Sequence, residues 1–572
     1  MSVTENTIPK KDKKPARRLF AVIAILIAAN IAGWFFYAQI DLTKDKRYTI
    51  TDATKHMLQH VDGKMEVLVY LNGKELPAAF KDLANNTESM LQHFREISNN
   101  KITYRIVDPL GDDSTTMSVL RQFHMTGIPT TIGDGKKGKR QTTVFPWALV
   151  TGTDAQGKAI AYPVFLLAAN TLKLEANNLL KSDILLEYNL ANGIHQLSRK
   201  ERPAVAYLTG NDEQLDAHVG AMVASLQQYY TLDTLNIDQH NIIPAHYKTL
   251  LIQRPTVPFT DQQKFKLDQY VMNGGHILWS LNMVTGTLDS LLNRQFNAMP
   301  MDLNLNDLLF NYGIRVNTNL VEDAVNQAYI PLKGSGANAE FTMFPWVYFP
   351  VLNAASDHPI VKNLNGVLSR FVSSIDTVGN GSATDKTILL SSSRYSKTES
   401  TPTPVILESA TIEPNPADYK DHNLPAAVLL EGSFKSAYST HRSVELSDWI
   451  ASQKIPLKDK SADNGKMILL SDADILTNDF SERSGPMNMG MFTLDREKIY
   501  DNQTFLLNCM EYINDDDNLL EARNKNFDNR ILDPKVVDNE RTKWQFINIA
   551  LPVIAILIFG AVFSFVRKRK YA

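Results

Sequence analysis

The sequence predicts an α/β body held between two terminal transmembrane helices. Three observations point to it: an apolar run near each end with lysine and arginine on its outer side, short β-branched strands alternating with amphipathic helices between them, and a single cysteine. A helix rises about 1.5 Å per residue, so about 20 apolar residues cross a hydrocarbon core of about 30 Å. Leu19–Ile40 and Phe546–Val566 both reach that length. Lys10, Lys11, Lys13, Lys14, Arg17 and Arg18 precede the first run, and Arg567, Lys568, Arg569 and Lys570 follow the second. Basic flanks stay on the cytoplasmic side. Residues 1–18 and 567–572 are therefore expected to be cytoplasmic tails, 19–40 and 546–566 spans of the inner membrane, and the interior from Asp41 to about Lys543 the exported, periplasmic part.

A cleaved signal peptide has the same basic front and apolar middle. Here the run continues through Trp34, Phe35, Phe36 and Tyr37 into Gln39-Ile40-Asp41 without a small-x-small cleavage site, and aromatics at that depth suit an interfacial belt. Asn30 and Gly33 in the first span, and Asn548 and Pro552 in the second, have two readings: positions tolerated near the headgroups, or close-packing points against partner helices.

The chain has 572 residues, 44% of them hydrophobic and 21% charged, enough for two or three extracytoplasmic domains. A net charge of −3 argues against nucleic acid as the partner of the whole chain. With Cys509 as the only cysteine, neither an internal disulfide nor a multi-cysteine metal site is possible, so an exported body must rely on core packing. The 12 histidines are scattered, and neither H-E-x-x-H nor Gly-x-Ser-x-Gly occurs. No metal, cofactor or catalytic set is expected.

The elements follow in order. Tyr48–Thr51 leads into a short helix through His60, with Thr51 or Asp52 as cap. MEVLVYL (Met65–Leu71) reads as a buried strand, Pro77–Asn99 as an amphipathic helix, and ITYRIV (Ile102–Val107) as a second strand stopped by Asp108-Pro109, together a βαβ unit. Helix Ser114–His124 precedes Gly127-Ile128-Pro129-Thr130. This region, 41–197, resembles a thioredoxin-like fold, in which an Ile-Pro-Thr stretch commonly precedes a strand with a cis proline. The Cys-x-x-Cys pair is missing, so the resemblance implies a structural or docking module.

Gly133-Asp134-Gly135-Lys136-Lys137-Gly138-Lys139-Arg140 nearly spells a phosphate loop, but Arg140 replaces the required Ser or Thr and TTVFPWALVT (Thr142–Thr151) reads as a strand where that motif needs a helix. An exposed hairpin explains it better. Lys158–Phe165 returns as the partner strand, with Pro146 and Pro163 implying edge positions. An amphipathic stretch, Leu179–Leu197, ends in the polar linker Ser198–Arg202, where the second domain, 198–514, begins.

AVAYLT (Ala204–Thr209) is a strand, followed by Gly210, Asn211, Asp212 and Glu213 and then helix Asp216–Tyr229. A polar loop at the carboxyl end of such a strand is where ligands bind in open α/β sheets. It is equally a capping segment, whose acidic residues suit the positive end of the helix. Tyr230–Asn236, strand Lys248–Gln253, helix Thr260–Asn273 and the run Gly274-Gly275-His276-Ile277-Leu278-Trp279-Ser280-Leu281 come next, the glycines closing a helix that feeds a buried strand. This stretch resembles the glutamine-amidotransferase-like α/β fold. That fold hydrolyses amides with a Cys-His dyad, and here no cysteine lies near the strands.

Asn304–Gly313 and Ile314–Leu320 are expected to finish the sheet, and Gln327 to about Phe434 to be irregular, with short strands such as Ile388–Ser391 and Ala426–Leu430. KMILL (Lys466–Leu470) precedes Ser471-Asp472-Ala473-Asp474, a second ligand lip or a cap. Asn502–Ile513 is an apolar helix, Asp515-Asp516-Asp517 a solvated loop, and 515–545 a polar linker into the second span.

Several strings are similar to one family: Glu187-Tyr188-Asn189-Leu190-Ala191-Asn192 through Ser198-Arg199-Lys200, Ala206–Glu213, FLLNCMEYINDD (Phe505–Asp516), Glu521–Lys525, Arg530–Asp533, Glu540–Gln545 and the Arg567–Tyr571 tail. They resemble the gliding-motility-associated ABC-transporter auxiliary proteins of GldG type across essentially the whole chain. Members often carry Gly-His-Gly-Glu where this chain has Gly210-Asn211-Asp212-Glu213, so chemistry assigned to that histidine has no residue here. The resemblance implies a non-catalytic, membrane-anchored partner of an ABC permease and a separate ATPase, serving gliding motility and type IX secretion in Bacteroidetes. A periplasmic ligand-binding protein, or a hydrolase using Glu213 with His218 or His276, is the alternative.

Overall fold

Strands buried on both faces must be apolar along nearly their whole length, with successive side chains entering opposite layers. The computed structural model describes residues 22–27 and 49–571, except 74–75, 112–113, 124, 135–137, 154–156, 169–175, 200–201, 288–289, 292–293, 334–340, 380–382, 441, 482–484, 492–499, 515–518 and 525–533. Val205, Tyr207, Leu251, Leu278 and Ile468 fill one core layer, whereas Ala206, Leu208, Ile252, Trp279 and Leu469 fill the other. Helices Gly220–Gln227 and Asn502–Asn514 cover the first face, and Asp261–Met272 and Asn306–Tyr312 the second.

Five strands run parallel in the spatial order Thr231–Asn236, Ala204–Thr209, Tyr247–Gln253, His276–Ser280, Gly465–Leu470. The order reverses at Ala204–Thr209. Its neighbour on the far side, Tyr247–Gln253, comes third in sequence, and between these two lies the topological switch point. Beyond Gly465–Leu470 the sheet continues antiparallel through Pro425–Ser433, Ala383–Ser391, Phe341–Ala354 and Gln327–Lys333.

Of the region from Gln327 to Phe434, the short strands expected at Ile388–Ser391 and Ala426–Leu430 lie within the strands Ala383–Ser391 and Pro425–Ser433, and Gln327–Lys333 and Phe341–Ala354 are ordered into this wing rather than irregular. Its central strand Phe341–Ala354 is interrupted by Pro345 and Pro350, which masks the period-2 pattern, yet Trp346 and Phe349 pack with Phe371 in a separate core. Ile314–Val316 does not finish the large sheet; it pairs with Ile375–Thr377 instead.

The N-terminal sheet has the order Ile102–Ile106, Met65–Val69, Trp147–Thr153, Ala159–Phe165, the first pair parallel and the rest antiparallel. Helix Ala78–Ile97 crosses between the parallel pair. Pro163 lies in the edge strand, as a residue without an N–H should. Ile128–Asp134 and Gly138–Val144 form a hairpin, so the glycine- and lysine-rich segment joins two strands and opens no helix. Pro129 lies inside that hairpin, and the cis peptide bond among the described residues is Thr401–Pro402, unlike the proline arrangement that the thioredoxin resemblance implies.

Long-range contacts tie this sheet to the rest. Glu187, wholly buried on helix Ala176–Ser198, accepts hydrogen bonds from Thr51 N (2.8 Å) and Thr51 Oγ1 (2.7 Å) at its Oε1. Thr51 itself caps helix Asp52–Gln59. Within the expected polar linker, Leu519–Asn524 forms a 3-10 helix. Its Leu519 joins the core of the N-terminal sheet, while Leu520 and Ala522 join a core of the large sheet.

The helix Pro534–Tyr571 is a separate unit of 38 residues. Its segment Lys543–Arg569 is long and apolar enough to cross a membrane, and its apolar window is wholly exposed. Of the first expected span, 22–27 is described, as helix; the rest of 19–40, the N-terminal tail and Asp515–Asp517 lie outside the described residues.

Replacing Glu187 leaves the part-buried Thr51 N–H without its acceptor and the Thr51 hydroxyl with Thr54 alone. Glu187→Ala should therefore cost about 2–3 kcal/mol, read as a fall in denaturant midpoint, whereas Glu88→Ala on the exposed side of helix Ala78–Ile97 should change it by less than about 0.5 kcal/mol.

Candidate functional site

The loop after Ala204–Thr209 is shaped by backbone constraints first. Gly210 has φ +136°, and a Cβ there would stand 2.8 Å from Ile237 Cγ2, so only glycine fits. The next residue, Asn211, is 1% exposed. Its Nδ2 donates to Val257 O (3.3 Å), Pro258 O (3.2 Å) and Gln263 Oε1 (3.1 Å). Its carbonyl accepts from Thr256 N (3.0 Å) and Val257 N (3.2 Å). Gln263 belongs to the capping box, with Thr260, that starts helix Asp261–Met272. Asn211 thus staples the first strand's exit loop to the third strand's, across the switch point.

Asp212, at φ +65°, is exposed and accepts from Thr256 Oγ1 at 2.5 Å. Glu213 is 5% exposed. Its Oε2 accepts from Asn211 N at 2.7 Å, while Oε1 is buried without a hydrogen-bond partner among the described residues. Burial raises its pKa, partly opposed by the backbone donors of Asn211, Glu213 and Gly210. The four residues expected to form a site sit at the switch point, where the Asn211 Nδ2 is committed to holding the loop while its Oδ1 is buried without a hydrogen-bond partner among the described residues.

The other strand exits add further charges, among them the Asp472 and Asp474 expected as a second lip or cap. Arg254 ends Tyr247–Gln253 at φ +49° and pairs with Asp216 at 3.5 Å. Asp216 also accepts from His218 N at 2.9 Å. Asp472 caps the 3-10 helix Ala473–Leu476, accepting from Asp474 N (2.7 Å) and from Arg370 N (2.6 Å), so the segment expected to be a lip or a cap does act as a cap. Gln253 Nε2 donates to Ala473 O at 2.8 Å, and Ala473 N donates to Asn282 Oδ1 at 2.7 Å, pinning that turn to the neighbouring strands. Behind it, Arg370 and Asp479 form a buried ion pair at 2.9 Å.

Burial pushes the Asp472 carboxyl far up, and the Asp474 charge adds to it. Asp474 is raised by burial against the opposing pull of Arg370 and Arg254. Arg254-Pro255 directly after an apolar strand was a legible signal for this edge. Arg370 and Asp479 had none, being brought in from the antiparallel wing and from a loop.

Ser280 is wholly buried at the end of its strand, and the Cys509 thiol is buried within helix Asn502–Asn514 with its pKa pushed up by burial. His276 begins a strand parallel to the one Glu213 follows, which puts the two at opposite ends of the sheet, separated by about 3.3 Å of rise for each strand residue. His276 Nδ1 meets Lys466 N at 3.2 Å instead. A Glu213–His276 pair is thereby lost. Among the described residues no group of three or more His, Cys, Asp or Glu is placed to hold a metal ion.

Comparison with known proteins gives a family for this region. Residues 202–509 match a family described as an ABC-type uncharacterized transport system, and 44–151 match a domain of unknown function. A protein of Borreliella burgdorferi, described as uncharacterized, is 23% identical over 560 residues, 96% of each chain. Among solved structures, the mmIFT52 N-terminal domain is 14% identical, with 54% of this chain and 96% of that one covered, at a TM-score of 0.31. The exo-β-1,4-mannosidase Op5Man5 from Opitutaceae bacterium strain TAV5 is 9% identical, with 69% and 46% covered, at 0.20. Neither structural likeness carries an argument about the site.

Two outcomes follow from this geometry. Asn211→Ala leaves two carbonyls and Gln263 short of a donor and should cost about 2–4 kcal/mol, against at most about 1 kcal/mol for Asp212→Ala, both measured by equilibrium unfolding. For Asp474 the folded-state pKa lies above the unfolded value, so the folded protein holds a proton where the unfolded chain does not, and stability drains away as pH climbs through the folded value. Asp474→Asn should flatten the decline in melting temperature on going from pH 5 to pH 8; an unchanged slope would show that Asp474 does not contribute.

Proposed function

The protein belongs to the auxiliary family of ABC-type transport systems, and from that premise we propose that it is a membrane-anchored, non-catalytic subunit that passes conformational change between an extracytoplasmic body and a permease. The observation that carries the reading is the exposed apolar helix Lys543–Arg569 with its basic end at Arg567–Lys570. An apolar face of that length is stable only in lipid or against other helices. With Leu19–Ile40 as a second anchor, both termini are cytoplasmic and residues 41–545 periplasmic, arranged as domains 41–197 and 198–514 followed by the 515–545 connection.

Energy comes from a separate ATPase, since the lysine-rich segment that nearly spells a phosphate loop sits in a hairpin and a phosphate loop needs a helix N-terminus. Two anchors are too few to enclose a transport path, so a multi-span permease supplies it. Gliding motility and type IX secretion enter through the resemblance of the C-terminal strings to the GldG-type proteins. Any ligand contact of the 210–213 loop falls to exposed Asp212 and to Glu213, because the Asn211 amide is already bonded on every proton-donating side.

Extraction from the native membrane in mild detergent should bring down a permease and an ATPase with this chain; purification of the chain alone under those conditions would defeat the proposal. Topology has its own check. Cys509 is buried and its thiol is held protonated, so it should remain silent to a membrane-impermeant maleimide. Asp212→Cys should label in spheroplasts and stay silent in sealed right-side-in controls where only cytoplasmic sites are reached.

A further inference from the structure

A cavity of about 670 Å³ opens between edge strand Ala159–Phe165, helix Ala176–Ser198 and helix Asn502–Asn514, and none of the switch-point residues lines it. Its size is within the range of about 300–1,000 Å³ usual for small-molecule pockets. The walls join distant parts of the chain: the Tyr188 hydroxyl donates to Glu511, which lies 323 positions later.

The buried charges on these walls, Glu511 and Arg523, are already engaged, while exposed Arg202 at the rim donates from Nη1 to Gln227 O at 3.1 Å. Glu511 accepts a hydrogen bond from the Tyr188 hydroxyl, and the Arg523 guanidinium lies over the Tyr188 ring at 4.8 Å while its Nη1 donates to Asn508. A charged ligand would have to break these contacts in a buried setting, which is costly. Arg523 is 7% exposed, and its Nε has no hydrogen-bond partner among the described residues. It is one further donor for a ligand oxygen.

What remains is aromatic faces and amides. Trp147 and Phe165 have ring centroids 4.6 Å apart, and Tyr162 and Tyr229 6.0 Å apart. Asn192, Gln196 and Gln503 stand among them. Gln196 Nε2 bonds Asn192 Oδ1 at 3.0 Å, and Gln503 Nε2 bonds Ser225 Oγ at 3.0 Å, which leaves further donor and acceptor capacity on each amide. Apolar ring faces beside groups that both donate and accept match a sugar, whose C–H faces are apolar and whose hydroxyl rim does both.

An extended peptide fits less well. Adding a strand to Ala159–Phe165 needs free backbone groups, but Pro163 has no N–H and the Phe165 carbonyl is taken by Asn189 Nδ2 at 3.2 Å.

We propose that this cleft binds a neutral oligosaccharide, its rings against the Trp147–Phe165 and Tyr162–Tyr229 faces and its hydroxyls on Asn192, Gln196 and Gln503. The site is independent of the transporter reading and is tested without partner subunits. Full-length protein is purified in an amine-oxide detergent, because glycoside detergents would compete, and tryptophan fluorescence is followed during titration with cellohexaose, chitohexaose and a neutral Gly-Ser decapeptide. Saturable binding of at least one hexasaccharide is expected. The double variant Asn192→Ala/Gln196→Ala, which removes a mutually bonded pair, should weaken it at least about tenfold, or about 1.4 kcal/mol. Gln503→Ala provides the second variant should the first fail to fold. The proposal falls if neither sugar gives a saturable response, if only the decapeptide does, or if folded variants bind as the parent does.

Discussion

Burial of a parallel sheet on both faces is the constraint from which the rest of this molecule follows. Strand bodies such as Ala204–Thr209 and Gly465–Leu470 are sealed between two helical layers, so polar side chains have room only at the strand ends. The exits there run through low-dielectric surroundings, where every backbone N–H and C=O must find a partner. Asn211 answers that requirement for the 256–258 segment, and Gln253 and Asn282 answer it for Ala473. The same pressure explains the charge pattern. Buried carboxylates at the edge meet a guanidinium, as Asp479 meets Arg370, or accept from backbone N–H groups, as Glu213 and Asp472 do, and burial raises the pKa of Glu213, Asp472 and Asp474.

A second level of organisation joins the two sheets. Leu519 packs into the N-terminal core while Leu520, next to it, packs into the large-sheet core. Alternate sides of one short 3-10 turn therefore serve two cores. Glu511, which precedes that turn, and Arg523, within it, meet Tyr188 on the opposite wall. The strings that resemble the GldG-type proteins near Glu187 and after Phe505 are thus neighbours in space. Their residue types are explained by packing: Glu187 accepts from Thr51, Asn189 from its amide reaches the Phe165 carbonyl, and Asn508 orients Arg523.

For function, the division of labour is physical. The switch-point edge is closed by its own hydrogen bonds and offers exposed groups chiefly at Asp212 and the half-buried Asp216–Arg254 pair. The cleft between the sheets keeps open volume, aromatic surface and amide capacity. That cleft is walled by the edge strand Ala159–Phe165 and helices Ala176–Ser198 and Asn502–Asn514, with none of the switch-point residues in its lining.

Local pattern sufficed for the elements whose signal is local. The βαβ unit at 65–106, the Thr260 cap, the parallel strands around His276–Ser280 and the apolar C-terminal helix were all legible, because periodicity, capping and hydropathy act over a few residues. Even the position of the 210–213 loop at a sheet edge followed from strand–loop–helix order. Tertiary structure alone decided what that loop does, since three of the bonds that occupy Asn211 come from residues 46 to 52 positions away. It also decided the antiparallel wing, whose prolines hide the alternation, and the cleft, whose walls are hundreds of residues apart. Contacts of that kind depend on which distant segments the cores bring together, and no short window of sequence contains that information.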